Sequence, residues 1–218
     1  TEPAYQMADY AVVKLTADIS HLSENQREML KYLFQAADIM EEIFWLENFG
    51  EKAPFLASIE DAKVRQYAEI NYGPWDELNN LAVFLPDYGP KPAGARFYPD
   101  DMTKEEFEAF DDPQKSNLYT LVQRDEEGNL KTVWYYEAFA NHVEKAAELL
   151  EKAAELADDG GFKRYLRLRA EALRTDQYFD SDMAWLSMKD NLVDIVVGPI
   201  ENYTDGLYGY KAAHESFI

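Results

Sequence analysis

The sequence contains no cysteine. That excludes disulfide staples, a thiol nucleophile and every zinc site built on thiolates, and it leaves the redox compartment open. Long apolar runs are missing as well. No stretch approaches the roughly 18–20 apolar residues that span a bilayer, and Thr1 opens neither an apolar signal segment nor a basic transit peptide, so the chain reads as soluble. Whether it is cytoplasmic or exported does not follow from this. Basic residues are scarce: 21 Lys and Arg stand against 42 Asp and Glu, a formal charge of −21. Such a field repels nucleic-acid phosphates and anionic lipid heads, which argues against both as partners. A solvated, solubility-promoting surface accounts for the acidity, whereas an acidic module that mimics nucleic acid would rest on charge alone. A serine nucleophile elbow, a phosphate-binding glycine loop and a dinucleotide-binding glycine pattern are all absent. Arg27 and Glu28 begin a nudix-type box, but Lys31 and Tyr32 stand where its metal-binding acids belong.

What is present is a globular sequence, 47% hydrophobic and 14% aromatic, long enough at 218 residues to bury a substantial core. Ser23 with Gln26 three residues on has capping-box spacing. Met29, Leu30, Leu33, Phe34, Ala37, Met40 and Phe44 follow at helical intervals, and Gly50 supplies a stop. A second helix is expected from near Pro54 to Ile70. Residues 71–99 are rich in Pro, Gly and aromatics and form a long loop, in which Tyr72, Trp75 and Phe97 either line a cleft or anchor the loop in the core. Thr103 and Glu106 cap a short helix. Two β runs then flank Glu127-Gly128-Asn129, a hairpin signal. An αα-hairpin follows: Phe139, Val143, Ala146, Ala147, Leu150, Ala154 and Ala157 share one face, Asp158–Gly161 break the helix, and Phe162, Tyr165, Leu166, Arg169 and Leu173 resume the period. A short helix near 182–188 leads into a β run at 192–197. The fold class is mainly α with a minor β component, α+β: a helical lobe with a hairpin and the first strands of a small β core.

Candidate chemistry is sparse. Of the three histidines, His142 reads as a surface residue and His21 as a neighbour of a helix cap. His214-Glu215 begins like the helix of a zinc peptidase, but Ile218 stands where HExxH needs its second histidine and where HExxGH needs its glycine, so the dipeptide is read as coincidence. No catalytic residue and no metal ligand is assigned. One local rule is broken by Asp194, a carboxylate among Leu192, Val193, Ile195 and Val196, where burial costs free energy unless the group is paired or faces a cleft. Glu201 lies beyond Gly198-Pro199, an interruption able to reset strand alternation and bring the two acids together. They would then anchor a cation such as a peptide amino terminus. An exposed strand edge, or a salt bridge to Lys or Arg, explains Asp194 equally well.

Longer stretches add a resemblance. "NYGPWDELNN", "GPKPAGARFYPDDMTKEEFEAF", "SDMAWLSMKDNLVDIVVGPIENY" and "GYKAAHESF", with "VVKLTADISHLSENQREML" near the start, resemble successive landmarks of the bacterial branch of the dipeptidyl-peptidase III family of zinc peptidases. The landmarks keep the family's order and cover nearly the whole chain. The resemblance implies a two-lobed enzyme that removes dipeptides from the amino terminus of oligopeptides. One lobe carries zinc on an HExxGH helix with a further glutamate downstream, and the other holds a small β core to which substrate adds as a strand. It places the family's acid and its G-[FP]-I-E-x-Y pattern on Asp194 and on Gly198, Pro199, Ile200, Glu201, Asn202 and Tyr203. Asp194, Glu201 and Tyr203 thereby become substrate-binding candidates, while Val196 replaces an aromatic of better-known relatives. The zinc motif occurs nowhere in these residues. The expectation is therefore that residues 1–218 form a single amino-terminal lobe, with the β core begun at 192–218 and truncated. Such a lobe would bind oligopeptide, need zinc and a missing carboxy-terminal lobe for catalysis, and be inactive alone. The alternative is a stand-alone, non-catalytic peptide-binding or scaffolding domain.

Overall fold

The computed structural model describes residues 7–218; the reading of Thr1 lies outside them. After a 3-10 turn at Met7–Asp9, the chain enters its longest helix, α1 (Glu24–Asn48). The Ser23 side chain accepts from the Gln26 N–H and the Gln26 side chain returns to the Ser23 N–H, so two of the helix's orphan donors are satisfied. Its inward face differs from the expected one. Ile39 and Ile43 are buried and Phe34 is 55% exposed, because α1 is apolar on more than one side and two different clusters claim it. The predicted helix from Pro54 to Ile70 is two helices, α2 (Lys52–Ala57) and α3 (Ala62–Ile70). The Ser58 hydroxyl turns back to the Phe55 carbonyl at 2.7 Å, and Asp61 restarts the helix by accepting from the N–H groups of Lys63 and Val64.

The 71–99 segment is a packed surface loop holding a miniature ladder of β1 (Trp75–Asp76) and β2 (Ala82–Val83). Trp75 and Phe97 are buried, the anchoring role. Helix α4 (Lys104–Ala109) is capped by Thr103 as the spacing predicts. The hairpin of β3 (Thr120–Arg124) and β4 (Leu130–Trp134) is regular, with Thr120 opposite Trp134 and Arg124 opposite Leu130. A single turn, α5 (Tyr135–Ala138), then leads into α6 (Ala140–Leu156) and α7 (Gly160–Thr175). All twelve residues named for the αα-hairpin face are buried, Arg169 included. The helix breaks where expected, between Leu156 and Gly160, but Asp159 makes the new start by accepting from the Phe162 N–H at 2.6 Å and both glycines sit in the first turn of α7. Helix α8 (Phe179–Ser187) packs on α7, and α6 lies between α7 and α1.

The last pair of strands is β5 (Val196–Glu201) and β6 (Ala213–Phe217), antiparallel, with Val196 opposite Phe217 and Pro199 opposite His214. A register shift between Pro199 and Glu201 supplies the reset of alternation expected at the Gly-Pro step. The β run predicted at 192–197 starts later, because the ladder's pairs begin at Val196. Asp194 therefore lies outside the strand, its carboxylate exposed and accepting from Trp185 Nε1 at 2.9 Å. The burial cost that singled it out does not arise. Gly198 has φ of +122°, a backbone conformation that demands glycine, while a Cβ there would meet the Arg169 guanidinium only at ordinary contact distance, 3.4 Å. Arg169 in turn donates to the Val197 carbonyl at 2.6 Å and pairs with Asp182 at 2.8 Å, tying β5 to α7 and α8. Lys211, fully buried, donates to the carbonyls of Lys115 and Asn117 and to the Thr120 hydroxyl, closing the segment before β6 onto the β3 side.

Asp159→Ala should cost about 0.5–2 kcal/mol of stability, read from urea unfolding, while Asp159→Ser should retain most of it, since a hydroxyl also caps. Equal losses from both would place the contribution of Asp159 elsewhere than the cap.

Candidate functional site

Helix α1 and strand β6 form two walls of a cleft of about 770 Å³. Residues 37, 41, 44 and 48 recur at three and four positions along α1 and line it together, leaving the opposite side of the helix to the core. The β6 wall is formed by residues 214–217. Tyr203, Thr204 and Gly206 close one rim, and Ile70, Tyr72, Glu77, Leu81 and 91–93 close the other.

The rims are built by local chemistry. Asp205 is buried and accepts from the N–H groups of Leu207, Tyr208, Tyr210 and Lys211 and from the Tyr98 hydroxyl, so a single carboxylate shapes the turn that follows β5. That bond and burial push the Tyr98 phenol far above its usual range, burial being the larger cause. Gly206 lets the turn approach the other rim: a Cβ at that position would lie 2.9 Å from the Ala93 carbonyl oxygen. Tyr72 holds φ of +52°, with its carbonyl accepting from Asn48 Nδ2 at 2.9 Å.

The cleft is acidic. Asp38, Glu41, Glu77 and Glu215 line it beside one basic residue, Lys91, which is committed to Glu77 at 3.1 Å and lies over the Trp75 ring. Glu41 is paired with Lys52 at 3.2 Å. Glu215 has no basic partner within salt-bridge distance among the described residues; the Tyr203 hydroxyl donates to it at 3.5 Å. Partial burial pushes the Glu215 carboxyl upward, the adjacent Glu201 adds to the rise, Tyr203 opposes it, and the buried Glu47 adds a little more.

Behind these residues lies a sealed pair. Glu47 and His214 have side chains with no exposure, and the Glu47 carboxylate meets His214 twice: one oxygen accepts from the backbone N–H at 2.8 Å and the other lies 2.6 Å from ring Nδ1. Burial drives the Glu47 carboxyl up and the imidazole pulls it back. Asp176, at the end of α7 with φ of +56°, accepts from the Tyr136 N–H at 2.9 Å, and burial pushes its carboxyl up to about 7 against the pull of that bond and of His214.

Of the three residues singled out beforehand, Tyr203 comes to the cleft rim, where its hydroxyl meets Glu215; Glu201, close enough to raise the Glu215 carboxyl, and Asp194, before the other end of β5, are both outside the cleft lining. The expected convergence of Asp194 and Glu201 is not what the fold provides. Glu201 is engaged locally, accepting from the Thr204 N–H at 3.2 Å and its hydroxyl at 2.6 Å. Sequence reasoning missed Glu47 and Lys91, and it set Glu215 aside with its neighbour. His214 was set aside with the failed zinc motif, yet a histidine next to the small apolar pair Ala212-Ala213 was a signal for a buried partner. Among the described residues no three His, Asp or Glu gather in a way that could hold a metal ion. Likewise, no helix among them is long and apolar enough to cross a membrane.

A mainly helical α+β unit with an acidic cleft beside its last two strands defines the class, and known proteins share its fold. The chain matches the structure of dipeptidyl-peptidase III from Caldithrix abyssi over 97% of its length, with a TM-score of 0.92 and 37% sequence identity. It matches dipeptidyl-peptidase III from Corallococcus sp. strain EGB over 96%, with a TM-score of 0.90 and 32% identity. The chain is thus similar, along nearly its whole length, to a part of bacterial dipeptidyl-peptidase III, and it spans 42% and 41% of those two chains. Nudix hydrolase 3 from Arabidopsis thaliana is 30% identical over an aligned length of 276, covering 98% of this chain and 36% of that protein. No family model matches the chain. The nudix name does not bring the corresponding box with it: Lys31, at one of the box's acid positions, is paired with Glu28 on the surface of α1.

Asp176→Asn keeps the acceptor for Tyr136 and tolerates the left-handed backbone. A raised carboxyl contributes most below its unfolded value and loses that contribution as pH rises to its folded value, here about 7. The variant should therefore gain stability over the parent between about pH 4 and 7, by on the order of 2–4 kcal/mol at the upper end. Urea unfolding at pH 4.5 and 8 checks this, and a pH-independent difference would remove Asp176 from the account.

Proposed function

We propose that this chain is the substrate-binding part of a zinc-dependent dipeptidyl-peptidase that removes dipeptides from the amino terminus of oligopeptides. The supporting observation is the acidic cleft at β6, formed in a chain that matches dipeptidyl-peptidase III over nearly all its length. A free peptide amine is a cation, and a site whose one lysine is already neutralised by Glu77 favours it.

Strand addition is restricted by geometry. The outer edge of β5 is closed, since the carbonyls of Ile195 and Val197 accept from Tyr165 and Arg169. Ser216 stands opposite Val197, so by the pairing rule of antiparallel strands its own N–H and C=O point to the outer edge of β6. That edge lines the cleft, and an extended peptide would add there. Asp194 and Glu201 flank β5 seven residues apart, about 20 Å at strand rise, too far to hold one ammonium between them. Glu215, on the strand that takes the peptide and without a basic partner among the described residues, is the amine anchor, whereas Glu201 is occupied by Thr204 and Asp194, exposed beside the Trp185 ring edge, stands outside the cleft lining. Tyr203, on the cleft rim, then contacts a neighbouring residue of the substrate.

The zinc of such an enzyme does not fit the described residues, which gather no metal-holding group, so no step of hydrolysis is assigned to them. The chain by itself is expected to take up no stoichiometric zinc and to release no dipeptide. Metal analysis after dialysis together with a dipeptidyl-naphthylamide assay tests this, and zinc uptake with turnover would overturn it. For binding, Glu215→Gln should weaken a free-amine pentapeptide about tenfold and leave its acetylated form nearly unchanged, as loss of a charge-assisted hydrogen bond predicts, and Asp194→Asn should alter neither. Titration calorimetry with both peptides decides, because equal losses would point to damaged folding instead of an amine site.

A further inference from the structure

We infer that Glu47 is a positioning residue that sets the separation of the two cleft walls and the point at which the open edge of β6 begins. The inference rests on the reading of the cleft as a peptide site. Glu47 lies in the last turn of α1, one residue before the cleft-lining Asn48, and His214 is the first β6 residue to line the cleft. Their contact therefore joins the walls directly. The Glu47 carboxylate takes the His214 N–H, the same outward-pointing position on the edge that Ser216 offers two residues later. At His214 a carboxylate occupies the place of a neighbouring strand, so an added peptide has to start beyond it.

The clamp is braced on both sides. The Glu47 main-chain carbonyl accepts from the Arg96 N–H at 2.8 Å, holding the end of α1 to the loop behind it. The His214 ring packs against Tyr135 at 5.2 Å and Phe139 at 5.8 Å between ring centres, so it cannot swing away from the carboxylate without opening the core. Glu215 and Ser216 follow directly, and their placement in the cleft inherits the register that Glu47 imposes. This assigns a role to a buried acid that touches no substrate.

The test compares Glu47→Ala with Glu47→Gln. An amide of the same length can accept from the His214 N–H and donate to a neutral ring nitrogen, so it should restore what alanine removes. The expected result is a tenfold or greater loss of pentapeptide affinity for Glu47→Ala and a change within threefold for Glu47→Gln. In parallel, the His214 amide should exchange with solvent at least a hundredfold faster in Glu47→Ala only, and the Glu215 and Ser216 amide resonances should move only in that variant. If Glu47→Ala does not fold, Glu47→Asp, whose carboxylate is one methylene too short to reach both the His214 N–H and the ring, replaces it in the comparison with the same expected losses. Unchanged affinity in Glu47→Ala despite a freed His214 amide would overturn the inference, as would equal losses in the alanine and glutamine variants. Should the parent chain bind no peptide, the peptide reading fails, while the exchange and resonance data still judge the clamp.

Discussion

A carboxylate and an imidazole, both shut off from water, fasten the end of the longest helix to the last strand. Buried charged or strongly polar partners are costly to desolvate, and the contact persists because the geometry returns two hydrogen bonds for one carboxylate. Removing either partner would leave the other unsatisfied in an aromatic setting. The pair converts α1, which by itself is one helix among several packed in a bundle, into a wall at fixed distance from a strand edge. Everything that makes the cleft specific, from Glu215 on β6 to the rim turn held by Asp205, is referred to that fastening.

The same economy of cations runs through the molecule. With two acids for every base, three arginines are each used more than once: Arg124 joins Asp101 and Glu106, Arg174 joins Glu144 and Glu151, and Arg169 joins Asp182, Ser181 and the β5 backbone. Planar guanidinium groups suit such bridging, because several donors lie in fixed directions. What remains on the surface is an excess of carboxylates, and in the cleft it becomes a local preference for cations. The charge that argued against nucleic acid at the level of composition thus has a placed counterpart in the fold.

The helical layout was legible because its signals are local. The capping box at Ser23, the small apolar face of α6 and the resumed period in α7 each depend on neighbours a few residues away, and each appears where the spacing put it. Reading failed where two local signals competed or where a partner was remote. Phe34 has the right period but the wrong side, since a helix packed on two clusters buries residues between its predicted stripes. Asp194 was open to two readings because its neighbours are apolar, and the solvent-facing one holds: the strand begins after it and Trp185 and solvent take its carboxylate. Glu201 was marked by the Gly198-Pro199 step and Tyr203 only through a resemblance, and of the two it is Tyr203 that shares the cleft rim with Glu215.

By itself the sequence determined the mainly helical class, the hairpin at residues 120–134, the irregular step at Gly198-Pro199 and the lack of cysteine-based chemistry, all of them consequences of composition and short-range spacing. Tertiary structure alone decided that Glu47 meets His214, 167 residues away, that the acids of α1 share a cleft with those of β6, and that Asp194 and Glu201 stand apart. The division has a physical cause. Backbone preferences act over one or two turns and are written in adjacent residues, whereas a buried pair exists only after the core has closed around it.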